Sequence, residues 1–363
     1  MSVLASGVLN IHWTFTDPSK LDRKPFEVPT SIVDPQKDSL KEGAKLSDFI
    51  SFNQQETGSD PFTIGVKNGN GTDVYKLDGM LLSEYFNYIK AEALTSQSPY
   101  NGIMGLSEQF SNNLFLQDGV YSLWSRDQPD PIEDGKAPGK NMYGTHPFYM
   151  ARAQDESWFG VFTNLAAAQD WWIKNEKTTG VVDVQTYAAG GVGDLYIMFD
   201  TSPDKVVQLY HTVVGKPVLV PQWGLGWKQC RWGYKDLDVI KQIVQNYSDY
   251  HLPLDTQFSD IDYLSDYKDF TYDPVRYKGL GDFVKELKAK GMHWIPIMDA
   301  GVAQRVGQDY KAYNVGAEQD VFVKAYNDEI FTGQVWAVDA AFPDFFQDRT
   351  KTYWGNMLTD IHD

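Results

Sequence analysis

The 363-residue chain contains a single cysteine, Cys230, so no intrachain disulfide can form and a disulfide scaffold is excluded. Cationic side chains are also scarce: 32 Lys and Arg stand against 49 Asp and Glu, a formal net charge of −17. A field of that sign repels phosphate backbones and anionic bilayers, which argues against nucleic acid and membrane surfaces as main partners. No apolar run approaches the length of a membrane span. Residues 1–15 carry no Lys or Arg ahead of their apolar stretch, and so do not read as a signal peptide. Nucleophile elbows, P-loops and dinucleotide fingerprints are missing. No histidine has ligand spacing to another ligand type, and no Asp-X-Asp-X-Asp-Gly loop occurs, so neither a metal nor another cofactor is expected.

What the chain does have is aromatic side chains, 14% of the total. Such rings serve either as core or as flat faces that stack on the apolar side of a sugar. Cys230 lies at an apolar strand end and reads as a buried, inert thiol rather than a nucleophile. Sequons at Asn70 and Asn246 are short enough to arise by chance.

Residues 1–215 read as mostly strands. LNIHWTFT (9–16), PFTIGVK (61–67), GVYSLW (119–124), HPFYMAR (146–152), WFGVFTN (158–164), GVVDVQTY (180–187) and DLYIMFD (194–200) are rich in β-branched and aromatic residues. Gly, Asn and Asp separate them, and several alternate polar with apolar, as half-buried strands do. An antiparallel β-sandwich is expected, with polar loops at 17–60 and 126–142. A helix follows: Ser202 suits its cap, Pro203 its first turn and Gly215 its end. Val206, Leu209, Tyr210 and Val213 form its apolar stripe. Lys216-Pro217 then breaks the chain, which places the domain boundary near 215.

From 216 to 363 the pattern becomes strand–helix alternation. Strands are expected at 223–230, 254–261 and 292–299, with helix faces at Leu237, Ile240, Val244, Tyr247 and at Leu280, Phe283, Val284, Leu287. Right-handed crossovers would make the three strands parallel. Small strands at Asp320–Val323 and Val335–Val338 precede a last helical segment, Thr350 to His362. The first strand ends at Arg231, Trp232 and Tyr234, the second at Asp260 and Asp262, the third at Asp299. In a parallel α/β barrel such ends carry the chemistry. Asp is also common in solvated turns, but three consecutive ends bearing Trp, Asp-Asp and Asp read as a site. Glycoside hydrolysis is one chemistry that wants this set, with two carboxylates flanking the sugar and further acids to hold its hydroxyls.

Eight ordered motifs carry a resemblance over most of residues 60–360: LWSRD (123–127), YGTHPFYM (143–150), GVFTN (160–164), PQWGLGWKQCRWGY (221–234), LPLDTQFSDIDYL (252–264), KDFTYDP (268–274), IPIMDAGV (295–302) and GQVWAVDAAFPDF (333–345). With them the chain resembles glycoside hydrolase family 31, the group of lysosomal and intestinal α-glucosidases and the glucosidase II catalytic subunit. The resemblance implies a galactose mutarotase-like β-sandwich (1–215) and the first three βα units of a catalytic (β/α)8 barrel (216–363), an incomplete TIM barrel. It implies retaining hydrolysis of α-linked glucose oligosaccharides without a cofactor. Residue by residue, Asp127 resembles an acid on a loop of the first domain that reaches the sugar. Trp232 resembles a pocket wall, and Asp260, with Ile261 beside it, the carboxylate that binds sugar hydroxyls. Val302 and Trp336 resemble further walls. Asp262, His146, Asp299 and Asp344 match family motifs in structural roles.

The chain departs from the family in three places. Asp299-Ala300-Gly301-Val302 stands where Asp-Pro-Ala-Ile is common, and Trp336-Ala337-Val338 where Trp-Pro-Gly is. The family nucleophile lies in a run like Trp-Ile-Asp-Met-Asn-Glu, and none of the eleven tryptophans here has Asp two positions on. The expectation is therefore a chain that supplies substrate-holding residues but neither nucleophile nor acid/base. The alternatives are a non-catalytic carbohydrate-binding relative, or a fragment without independent function.

Overall fold

The computed structural model describes residues 1–21, 27–29, 31–33, 41–53, 62–97, 101–109, 113–125, 141–305 and 307–362. They fall into two compact units, Met1–Pro217 and Val218–Asp363.

The first unit contains β1 (Ser2–Val3), β2 (Leu9–Trp13), β3 (Ile50–Asn53), β4 (Thr63–Lys67), β5 (Asp73–Leu82), β6 (Asn87–Leu94) and β7 (Met104–Gln109). They are followed by β8 (Gly119–Leu123), β9 (Asn141–Arg152), β10 (Trp158–Leu165), β11 (Gln169–Glu176), β12 (Val181–Ala188), β13 (Gly193–Asp200) and helix α1 (Pro203–Val214). Two sheets result, in the orders β1-β2-β13-β10-β9-β7 and β3-β4-β5-β6-β12-β11-β8, with antiparallel pairing throughout. The side-chain period of two explains the layering. In β13, Leu195 and Ile197 enter the core between the sheets, while Tyr196 and Met198 face the other way, into a second cluster with Val206, Tyr210 and Val213 of α1. Hence β10 and β13 are buried along most of their length, whereas β6 and β12, uncovered on one face, alternate strictly.

Helix α1 begins and ends where its sequence signals stand. The Ser202 hydroxyl accepts the Lys205 N–H at 3.4 Å, and Gly215 closes the helix at φ 85°. Val206, Tyr210 and Val213 are buried; Leu209 is half-buried. Outside the runs named from sequence lie six strands, β1, β3, β5, β6, β7 and β11, of which β3 lies in the segment read as a 17–60 loop.

The second unit opens with β14 (Lys228–Gln229), α2 (Leu237–Asp249), β15 (Thr256–Ser259), α3 (Leu280–Ala289) and β16 (His293–Pro296). The three strands pair in parallel, in the order β14-β15-β16. Asp236 caps α2 by accepting the Val239 N–H at 2.9 Å. Leu237, Ile240 and Val244 of α2, with Leu280, Phe283 and Leu287 of α3, make one core cluster. A second layer follows: β17 (Val302–Ala303), α4 (Lys311–Glu318), β18 (Thr332–Val335), β19 (Val338–Ala341) and α5 (Asp348–His362), around Tyr313, Phe322, Ala341, Tyr353 and Met357.

Three element readings need correction. The strand expected at 223–230 is only Lys228–Gln229, because Gln222–Leu225 forms a 3-10 turn. A Cβ on Gly226 would lie 2.1 Å from an Asp255 carboxylate oxygen, so the glycine there serves close approach rather than a strand. Val335–Val338 is not a strand but the end of the β18–β19 hairpin, with Val335 paired to Val338 across Trp336-Ala337. Asp320–Val323 forms no strand; Phe322 makes an isolated bridge to Pro343.

Candidate functional site

Because β14, β15 and β16 run parallel in close register, their C-terminal ends emerge side by side. Cys230 follows β14 directly, Asp260 follows β15, and the chain leaving β16 reaches Asp299. The Asp260 backbone is extended (φ −79°, ψ −172°), and its carboxylate accepts the Ile261 N–H at 2.7 Å. That bond caps a one-turn 3-10 helix, Ile261–Tyr263.

The turn is tied to both neighbouring strand ends. Gly233, at φ 102°, donates its N–H to the Asp262 carboxylate at 2.7 Å, across from the first strand end. Only glycine adopts that φ readily. On the other side the Tyr263 hydroxyl donates to the Ile297 carbonyl at 2.8 Å, past the third strand. Asp262 and Tyr263 are both buried, so these bonds are not replaced by water.

The electrostatics link the same three ends. Burial pushes the Asp299 carboxyl up, and the Asp260 charge adds to it. Partial desolvation at the sheet end raises the Cys230 thiol as well, again with Asp260 contributing. Cys230 is exposed, which corrects the reading of a buried thiol; its short strand leaves it uncovered at the sheet end. Its raised pKa keeps it protonated and a poor nucleophile near neutrality.

Behind Asp299 lies a carboxyl inside the KDFTYDP motif that the sequence does not mark as a site residue. Asp269 is only 2% exposed, and its carboxylate accepts the Asp299 N–H at 3.0 Å. Burial pushes its pKa up to about 7; the Asp299 N–H opposes the shift and the Asp299 charge adds to it. The Asp269 carbonyl accepts from the Tyr310 hydroxyl at 2.9 Å. Burial of this side chain depends on the fold of the 265–273 loop, where Asp266, Tyr267 and Phe270 all have positive φ. Periodicity carries no trace of that.

The remaining sequence candidates sit as follows. Trp232 is 65% exposed beyond the first strand end, and Trp336 is 56% exposed at the hairpin tip. Ile261 is buried in the cluster formed by α2 and α3. Val302 is fully buried and pairs with Ala341. Asp127 lies outside the described residues. In the first unit His146 shares a short hydrogen bond with the Tyr210 hydroxyl, a link between sheet and helix. Asp344 accepts the Phe346 N–H at 3.1 Å and the Gln347 amide at 2.7 Å, fixing its own turn.

Chemically, these strand ends offer a carboxylate acceptor, further acids behind it and an exposed indole face. Hydroxyl groups attached to a ring with an apolar side complement such a surface. Among the described residues, no group of three or more His, Cys, Asp or Glu is placed to hold a metal ion. No helix among them is long and apolar enough to cross a membrane.

Comparison with known proteins adds an independent line. The model of the glycosyl hydrolase 31 N-terminal galactose mutarotase-like domain matches residues 1–171, and that of the glycosyl hydrolases family 31 TIM-barrel domain matches residues 217–363. The lysosomal alpha-glucosidase of Mus musculus is 30% identical over 365 residues, covering 100% of this chain and 36% of the mouse protein. Glucoamylase 1 of Candida albicans is 34% identical over 271 residues, covering 72% of this chain and 27% of that protein. The chain thus spans 27% to 36% of the length of these curated relatives. Among solved structures, the glucosidase II alpha subunit in its Glc1Man2-bound form superposes with a TM-score of 0.82 at 17% identity, over 97% of this chain and 45% of that one. That likeness establishes the fold: a mutarotase-like sandwich followed by TIM-barrel units.

Proposed function

Because the chain belongs to glycosyl hydrolase family 31, we propose that it forms the sugar-gripping part of an enzyme that hydrolyses α-glucosidic bonds in α-linked glucose oligosaccharides. The carrying observation is the convergence of three parallel strand ends on Asp260, whose turn is tied to both neighbours. Relatives named as alpha-glucosidases support the choice of substrate.

In this reading Asp260 accepts hydrogen bonds from sugar hydroxyls, and Trp232 and Trp336 supply stacking walls. The family resemblance gives Ile261 a place beside that carboxylate, Val302 the role of a further wall and Asp127 that of a further acceptor. Asp299 keeps a structural role, its backbone N–H held by the Asp269 carboxylate. Glycoside hydrolysis with retention needs one carboxylate to attack the anomeric carbon and a second group to protonate the departing oxygen. We assign neither role to a residue of this chain. Its contribution is orientation: acceptors fixed before the sugar arrives cost less to order when it binds.

Calorimetric titration of the chain with maltose tests this. Binding that weakens about tenfold or more in Asp260→Ala, the scale of losing a charged hydrogen bond, is the expected result. Equal affinity in wild type and variant sinks the assignment.

A further inference from the structure

The first unit carries a cleft of about 680 Å3 in which Asn101, Phe115, Gln117, Asp118, Asn175 and Lys177 take part. Its frame is rigid. The buried Tyr121 hydroxyl accepts the Gln117 N–H at 2.9 Å and donates to the Gln117 carbonyl at 3.0 Å. Asn175 donates its N–H and its amide to one Asp118 oxygen at 2.9 and 3.0 Å, and its amide also reaches the Leu116 carbonyl at 3.1 Å. Gly102, beside Phe115 and Asn175, sits at φ 123°, a conformation that residues with a Cβ rarely adopt.

Within that frame several polar groups have no hydrogen-bond partner among the described residues. The Asn101 side-chain oxygen is buried and unpaired, an arrangement that costs stability unless something else fills it. The Gln117 amide and the Lys177 ammonium make no side-chain bond, and Asp118 uses only one of its two oxygens. Bonds from Asn175, helped by Lys177, hold the Asp118 carboxyl below its usual range, so it is a charged acceptor near neutrality. Its charge and that of Lys177 offset each other, so the cleft favours neither anions nor cations. It offers both acceptors and donors beside a half-buried ring. A ligand whose groups both donate and accept, and which has an apolar face, fits that set.

We propose that this cleft is an accessory carbohydrate-binding site for a neutral glucan chain, formed by the first unit alone. The choice of an α-glucan as ligand rests on the proposed function; the site itself does not depend on Asp260.

Native gel electrophoresis of the 363-residue chain through glycogen tests it. The wild type is retarded, and Phe115→Ala and the exposed pair Gln117→Ala/Lys177→Ala each bind about tenfold more weakly, the scale of losing one stacking contact or one or two hydrogen bonds. Asp260→Ala leaves the retardation in place. Retardation lost in both cleft variants but kept in Asp260→Ala supports the site, whatever the fate of the strand-end assignment. Loss in Asp260→Ala with both cleft variants unchanged overturns it and leaves the strand-end assignment standing. No retardation of the wild type, or retardation by dextran sulfate but not by glycogen, also overturns it. The exposed pair guards against a Phe115 variant that merely fails to fold.

Discussion

The carboxylate of Asp269 accepts the backbone N–H of Asp299 at 3.0 Å, so a buried acid supports the chain segment that carries an acid at the strand ends. Burial raises the Asp269 carboxyl from its ordinary 3.8 to about 7. Between those values the folded chain holds a proton that the unfolded chain has released. Stability therefore falls as pH rises through that window, and the full penalty, of the order of 4 kcal/mol, is felt above it. Tyr263, Tyr310 and Tyr353 face the same carboxyl and are themselves raised chiefly by their own burial, so they stay neutral throughout. Asp269→Asn keeps an acceptor for the Asp299 N–H and removes the titration. Melting curves from pH 4 to pH 8 are expected to show a decline in the wild type and a flatter profile in the variant; parallel profiles refute the account.

Sugar affinity should be lost stepwise at the strand ends. Trp232 is exposed and contributes no core packing. Trp232→Ala is expected to leave the melting temperature within about one degree, since exposed substitutions cost little. It should weaken maltose binding several-fold, roughly one stacking contact. A variant that melts earlier but binds normally would reverse the roles given to this residue. Purified residues 1–363 are expected to show no turnover of a synthetic α-glucoside, and measurable hydrolysis would refute the assignment of grip without bond breaking.

Val338 sits at φ 70° directly after the Trp336-Ala337 turn, a left-handed position that suits glycine and strains a β-branched residue. Val338 is 62% exposed, so little packing is lost on shortening it. Val338→Gly is expected to stabilise the second unit by about 1 kcal/mol, read as a shift in the urea midpoint. An unchanged or lower midpoint contradicts this.

Gly160 lets α1 pack on the six-stranded sheet. A Cβ there would lie 2.7 Å from Val206 and 2.9 Å from the Phe148 ring. Gly160→Ala is expected to cost about 1–3 kcal/mol by overpacking. Chemical denaturation measures it, and a neutral result would mean that α1 shifts freely on the sheet.

Loss of the α2 cap should be milder. The Asp236 carboxylate accepts the Val239 N–H at 2.9 Å. Asp236→Ala removes that partner for about 1 kcal/mol, and Asp236→Ser should restore most of it. A Ser variant no better than Ala would show that the cap bond is not the source.

Helices α1, α2 and α3 were legible because their signals are local, whereas α4, eight residues without a side-chain cap, was not. Ser202 and Gly215 mark the ends of α1, and the buried stripes of α2 and α3 follow the helical period. Strand β6, NYIKAEAL, was not, since its Ala, Lys and Glu favour helix and only pairing with β5 and β12 makes it a strand. Trp223 and Leu225 looked like strand residues but lie in the 3-10 turn Gln222–Leu225, beside Gly224 and Gly226. Motif order and strand ends singled out Asp260 and Trp232 as expectations. Asp269 lies inside the KDFTYDP motif, but its chemistry could not be read there, because it comes from burial by distant elements and not from neighbours in sequence.

The bond between the Gly233 N–H and Asp262 has a dynamic consequence. Trp232 precedes one end of that tie and Asp260 lies two residues before the other. The tie makes the two loops one mechanical unit at the backbone, so displacing one loop displaces the other. Under the proposed function, a substitution that cuts this bond would loosen the stacking wall and the acceptor together without touching either side chain.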